Sequence, residues 1–184
     1  RAYADAGENW QLFRPSLAIA AAMSFSVPAQ ADIMVGIGLG SFSLESGSRD
    51  LGSNSYSRLS LEFIDNETKS AVGIRTAYSD FGKFKGDVEL SHIGIDLTYR
   101  NRVVENGDLI VTAGLGRMNV TEPLYTQWAT IKADYTKLSG QGSIGYRHHF
   151  GQLSVQADYS LVSVLDSKYD IKLSGLTVGA NYAF

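Results

Sequence analysis

From Asp32 onward apolar and polar side chains alternate with a period of two. Residues 33–44 place Ile33, Val35, Ile37 and Leu39 on one face and Gly36, Gly38 and Gly40 on the other. Residues 57–65 oppose Leu59, Leu61 and Phe63 to Arg58, Ser60 and Glu62, and residues 70–79 oppose Val72, Ile74 and Tyr78 to Ala71, Gly73, Arg75 and Ala77. The pattern continues in residues 88–99 (Ile93, Ile95, Leu97, Tyr99 against His92, Gly94, Asp96, Thr98) and 109–118 (Leu109, Val111, Ala113, Leu115 against Thr112, Gly114, Gly116). It is weaker over about 132–148 (Leu138, Ile144, Tyr146 against Ser139, Gln141, Ser143, Gly145, Arg147). It is clearest over 153–161 (Leu153, Val155, Ala157, Tyr159, Leu161 against Ser154, Gln156, Asp158, Ser160), and a last segment runs from about 171 to 184.

The pattern predicts an all-β chain of about eight strands in four hairpins, an even number suited to a closed up-and-down antiparallel barrel. Every second connection is compact ("DNETK", "NRVVENGD", "HHFGQ"). The others ("ESGSRDLGSNSY", "DFGKFKGD", "NVTEPLYTQWATI", "VLDSKYD") are on the whole longer and rich in polar and aromatic residues. Short turns on one rim and long loops on the other are the asymmetry of a transmembrane β-barrel of the bacterial outer membrane.

A soluble lipocalin-like barrel that binds an apolar ligand shares the period but needs its aliphatic face inside. The second face separates the two. It consists of Gly, Ser, Thr, Asn and Gln with Glu62, Arg75, Asp96, Arg147 and Asp158, which suits a crowded lumen where small residues fit and charges pair across strands. The aliphatic face then meets lipid. With strands running alternately down and up, Phe63, Tyr99, Tyr146, Tyr182 and Phe184 gather at the short-turn end of that face, and Tyr78 and Tyr159 toward the other end, as two aromatic girdles would. Tyr56, Phe81, Phe84, Tyr125, Trp128 and Tyr169 fall in or beside the long loops.

On this pattern the chain from Asp32 to Phe184 resembles the small Gram-negative outer-membrane barrels of the OmpX, OmpA-barrel and opacity-protein type. Leu176, Val178, Tyr182 and Phe184 look like the signal by which the outer-membrane assembly machinery recognises its substrates. The resemblance implies a monomer that meets outer-membrane lipid and lipopolysaccharide. Upstream, "LAIAAAMSFSV" is about half the length a membrane-spanning helix needs and is followed by Ala29-Gln30-Ala31. Residues 1–31 read as a signal peptide cleaved after Ala31, with 32–184 as the barrel; a retained amphipathic helix is the alternative.

Composition removes several classes of function. The 184 residues carry 16 Lys and Arg against 19 Asp and Glu, a net charge of -3, with no basic stripe for nucleic acid. There is no cysteine, hence no disulfide and no thiol chemistry, and no residue pattern calls for a metal or other cofactor. An eight-stranded barrel leaves little room for a channel, so Glu62, Arg75 and Asp96, from consecutive strands, read as a mutual lumen network. Some barrels of the resembled type modify lipid A as deacylases or acyltransferases. That chemistry would need a Ser and an acid within reach of His92, which no local spacing supplies. Gly36, Gly38 and Gly40 sit in a strand pattern with no helix after them, and no nucleotide site follows. Arg49, Lys83, Lys85, Lys132, Lys137 and Lys168 near the outer rim could meet lipid phosphates. The expectation is a non-enzymatic barrel with a polar, plugged lumen and an envelope-structural or surface-interaction role through long loops.

Overall fold

A computed structural model describes residues 32–47, 49–65, 67–125, 130–166 and 171–184. The expected signal peptide lies outside them. Eight strands follow in order: β1 (Asp32–Ser46), β2 (Arg49–Ile64), β3 (Ser70–Phe84), β4 (Val88–Val104), β5 (Gly107–Tyr125), β6 (Thr130–Phe150), β7 (Leu153–Val164) and β8 (Ile171–Ala183). Each pairs antiparallel with the next, and β8 pairs with β1 from Met34↔Ala183 to Ser46↔Ile171, closing an up-and-down barrel.

The strands are longer than the apolar alternation suggested, reaching 21 residues in β6. Most of the expected long loops are strand: "ESGSRDLGSNSY" belongs to β1 and β2 except for the turn between them, and β3 and β4 are joined through Lys85, Gly86 and Asp87 alone. The period of two does not stop there; its apolar face changes sides. In β1, Ile37 and Leu39 point outward and are 66% and 71% exposed. Two residues later the outward positions are Ser41, Ser43 and Glu45, while Phe42 and Leu44 point inward at 1% exposure each. The same exchange carries Leu115 to Arg117 on the outer face of β5 while Met118 and Val120 fill the inside. It carries Leu161 to Ser163 in β7 while Val162 and Val164 fill the inside.

A surface that is apolar below this change and polar above it marks where lipid gives way to water. Residues 153–161 of β7 hold the outward apolar run, and at about 3.3 Å per residue and a tilt of about 40° they rise about 23 Å, close to the height of a bilayer-facing band. Phe63, Tyr99, Tyr146, Tyr182 and Phe184 lie on the outward parity at the short-turn end, with the Tyr182 and Phe184 rings 4.9 Å apart, and Tyr78 and Tyr159 lie outward near the other edge.

Above the band the interior is an apolar core built from Phe42, Leu44, Tyr56, Phe81, Phe84, Leu90, Met118, Val120, Val162, Val164, Ile171 and Leu173. The expected polar lumen is therefore only the lower part of the inside. Tyr56, Phe81 and Phe84 are core residues rather than loop aromatics; the side chains of Tyr125, Trp128 and Tyr169 lie outside the described residues. Phe81 and Phe84 are three apart and would face opposite sides of a regular strand. Both turn inward because β3 carries a bulge between Asp80 and Gly82, where Gly82 adopts φ 65°. The Asn54 amide fixes it by donating to the carbonyls of Phe81 (3.0 Å) and Lys83 (2.9 Å).

Candidate functional site

Below the apolar core Arg58, Arg75, Arg100 and Arg147 pair with Asp158, Asp96, Asp108 and Glu62, and Arg102 reaches Asp108 as well, at 3.5 Å from the short-turn rim. At the short-turn end Arg100 of β4 meets Asp108 of β5 at 3.3 Å, and its second nitrogen donates to the carbonyls of Asp65 (2.7 Å) and Thr68 (2.5 Å). His149 completes this group 2.7 Å from Asp108. One guanidinium thus ties the β2–β3 turn to the barrel wall. Nearby, Arg147 of β6 crosses to Glu62 of β2 at 2.5 Å and also donates to Gln156 of β7 at 3.0 and 2.8 Å.

Higher in the lumen, Arg58 of β2 and Asp158 of β7 form a two-bonded pair at 3.1 and 2.8 Å, and Asp158 also accepts from Ser160 (2.8 Å) and Gln156 (3.0 Å). Arg75 of β3 donates to Asp96 of β4 at 3.1 and 2.8 Å and to Thr112 of β5 at 3.1 Å, while the Gln141 amide from β6 donates to the second oxygen of Asp96. The Arg58–Asp158 and Arg147–Glu62 pairs cross the barrel and brace strands far apart in sequence, whereas Arg75–Asp96 and Arg100–Asp108 join adjacent strands. Arg58, Arg75 and Arg147 are each matched by one carboxylate, while Arg100 and half-buried Arg102 share Asp108 at the short-turn rim.

His92 lies between the ion pairs and the apolar core, with Nε2 2.9 Å from Ser139 Oγ of β6. Its ring fits because β4 and β5 supply Gly94 and Gly116 beside it; a Cβ at either position would collide with the imidazole. Above, the rings of Phe42, Tyr56 and Phe81 cluster at centroid distances of 4.6 to 5.1 Å, Tyr56 stacked on Phe81 and Phe42 edge-on to Phe81. A cavity of about 20 Å³ remains between Phe42 and Phe81 on one side and Arg58, Arg75 and Asp96 on the other, room for a single water.

All six expected lumen residues point inward and are buried, but their partnerships differ from the expected network. Arg75 takes Asp96, whereas Glu62 is claimed by Arg147 from across the barrel. Asp158 takes Arg58, which lay on the inward parity without being singled out. Arg100 and Asp108 were missed because the alternation was read as ending at Tyr99 and starting at Leu109; each simply continues the inward parity by one step. Ser139 was missed for another reason. It lies 47 residues from His92 on the far side of β5, and the two meet because His92 reaches over Gly116, whose partner in register is Ser139. At the outer rim Lys83 pairs with Asp87 (3.4 Å) and Glu89 (3.6 Å), Lys132 with Glu89 (3.7 Å) and Lys137 with Asp166 (2.8 Å), so these expected phosphate contacts are engaged within the chain. The side chains of Arg49 and Lys168 lie outside the described residues.

The closed ring of eight antiparallel strands is similar to that of Ail, the attachment invasion locus protein of Yersinia pestis (TM-score 0.61, 16% identity, 84% of this chain and 99% of that one). It is similar also to Neisserial surface protein A (0.61, 13% identity, 83% and 97%) and to a major outer membrane protein of Thermus thermophilus (0.55, 11% identity, 84% and 99%). The fold is that of the small outer-membrane barrels. No protein-family model and no curated protein sequence matches the chain. The barrel's outward apolar band and its inward ion pairs agree with that fold: lipid outside, buried charge inside.

Proposed function

We propose that this outer-membrane barrel is non-catalytic, carries no solute through its lumen, and serves the cell surface through the part of the wall that stands above the bilayer. The observation that carries this reading is the placement of an apolar core over a layer of ion pairs, with a cavity of only about 20 Å³ between them. Reconstitution in planar bilayers tests it: the folded barrel should give no reproducible unit conductance. A stable ion-conducting step would reject the closed-lumen reading.

A surface role is favoured by the unequal height of the wall. β6 continues nine residues above its last rung with β7, Ser139↔Val164, in company with β5, so a two-stranded ribbon rises over the rest of the rim. An extended backbone edge in water is a ready template for a second chain. Shortening the ribbon by equal numbers of residues in β5 and β6 should leave folding intact and remove any surface binding the whole barrel shows.

The contact between Ser139 and His92 raises the alternative of a barrel hydrolase acting on lipid A. Both groups are buried, at 0% and 1% exposure, inside the wall rather than on its lipid face, and no carboxylate orients the imidazole among the described residues. Their contact supports a structural role, and a His92→Ala strain should keep its lipid A acylation pattern unchanged.

A further inference from the structure

We propose that Arg117 binds a phosphate group on a lipid headgroup of the outer leaflet, a proposal that rests on the membrane reading above. Arg117 is the first outward residue above Leu115 on β5, so it stands where the apolar band ends. Its neighbours across the strands are Ile93 of β4 and Leu138 of β6, both aliphatic, and no carboxylate pairs with it among the described residues. The outward acids along these strands, Glu89 and Asp134, flank Thr121, four residues and about 13 Å further from the membrane, and exposed Asp80 of β3 stands on the rung of Asn119 two strands, about 10 Å, away. Glu89 is already held by Lys83 and Lys132.

A guanidinium between aliphatic side chains at the edge of a bilayer is costly if it faces hydrocarbon and is stabilised if it meets an anion at headgroup level. Its fork of donors fits phosphate oxygens. One rung higher, Asn119 lies on the same outward line. Its Oδ1 accepts from the Thr136 hydroxyl at 2.8 Å, so what this amide has left to offer is its NH2. Arg117 and Asn119 together present donors, and no charge that would repel phosphate, just above the band. Of the lysines expected for this task, Lys83, Lys132 and Lys137 are paired within the rim and exposed Lys85 sits in the β3–β4 turn, beyond Glu89, so Arg117 is the cation placed at the edge of the band on β5.

The test uses the purified, folded barrel in detergent, loaded with bis-phosphorylated lipid A or with the same lipid stripped of phosphate, and native mass spectrometry to count retained lipid. The wild type should retain the phosphorylated form on the order of tenfold better, as expected for a charge-assisted pair. Arg117→Gln should erase that preference, Arg117→Lys should keep part of it, and Asn119→Ala should weaken it, while equimolar inorganic phosphate should not displace the lipid. Equal preference in wild type and Arg117→Gln, or displacement by inorganic phosphate, would overturn the proposal. All three variants should keep a heat-dependent gel mobility. A wild type without that mobility would instead defeat the barrel reading, and the phosphate site with it.

Discussion

Arg75 shares two hydrogen bonds with Asp96 and a third with Thr112, all buried, so neither charge can be removed alone without stranding the other. Arg75→Met should therefore cost about 3–5 kcal/mol in urea unfolding from lipid vesicles, whereas Arg75→Met with Asp96→Leu should cost much less than the single change. If the double variant were the less stable, the pair would be a net source of stability rather than a mutual neutralisation. Gly116 makes a second residue-scale case. A methyl group there meets the His92 ring and the Ile93 carbonyl, and Gly116→Ala should cost about 1–3 kcal/mol in the same assay. Residue parity was legible from sequence, because in a strand each side chain's face follows from counting by two. Partners were not: Glu62 is opposite Arg75 in register, yet its carboxylate is taken by Arg147, 85 residues away. Pairing inside a barrel depends on which side chains span the lumen, and no local pattern encodes that.

At the scale of the element, each strand crosses two environments without changing its period. Outward Ile95, in the middle of the β4 band, should cost about 2–4 kcal/mol when replaced by Arg, and outward Ser91, above the band, about 0–1 kcal/mol. Equal costs would mean that the lipid boundary is misplaced on β4. The eight strands and their order could be read from the sequence because the lower alternation puts aliphatic residues consistently on one parity. Their upper ends could not, since at Leu39, Leu115 and Leu161 the apolar residues move to the other parity and the signal resembles a loop. The turn between β2 and β3 carries its own signature. The Asp65 carboxylate accepts from the backbone N–H groups of Glu67 (2.8 Å) and Thr68 (3.3 Å), and the Glu67 bond above all holds its pKa below the ordinary carboxylate value. A lowered pKa stabilises the fold above the unfolded-state value and is lost as pH falls through the folded-state value. The stability difference between the wild type and Asp65→Asn should therefore shrink as the medium is acidified below the usual carboxylate range, and a difference independent of pH would contradict this.

At the scale of the molecule, the described residues form a single closed sheet with two interiors. Where lipid surrounds it, the outside is apolar and the inside is filled by neutralised charge; where water surrounds it, the inside becomes an ordinary hydrophobic core. One wall thus satisfies two solvents by exchanging which face is apolar, and the core that results sits above the ion pairs. The chain contains no cysteine, so single cysteines can be placed along β1 without background labelling. The most direct test labels positions 33 to 45 one at a time with an environment-sensitive fluorophore in vesicles and measures quenching by brominated lipid and by aqueous iodide. Ile33, Val35, Ile37 and Leu39 should be quenched by lipid, Ser41, Ser43 and Glu45 by iodide, and Phe42 and Leu44 by neither. Lipid quenching that continued through Ser41 and Ser43, or iodide access at Phe42 and Leu44, would contradict the exchange of faces.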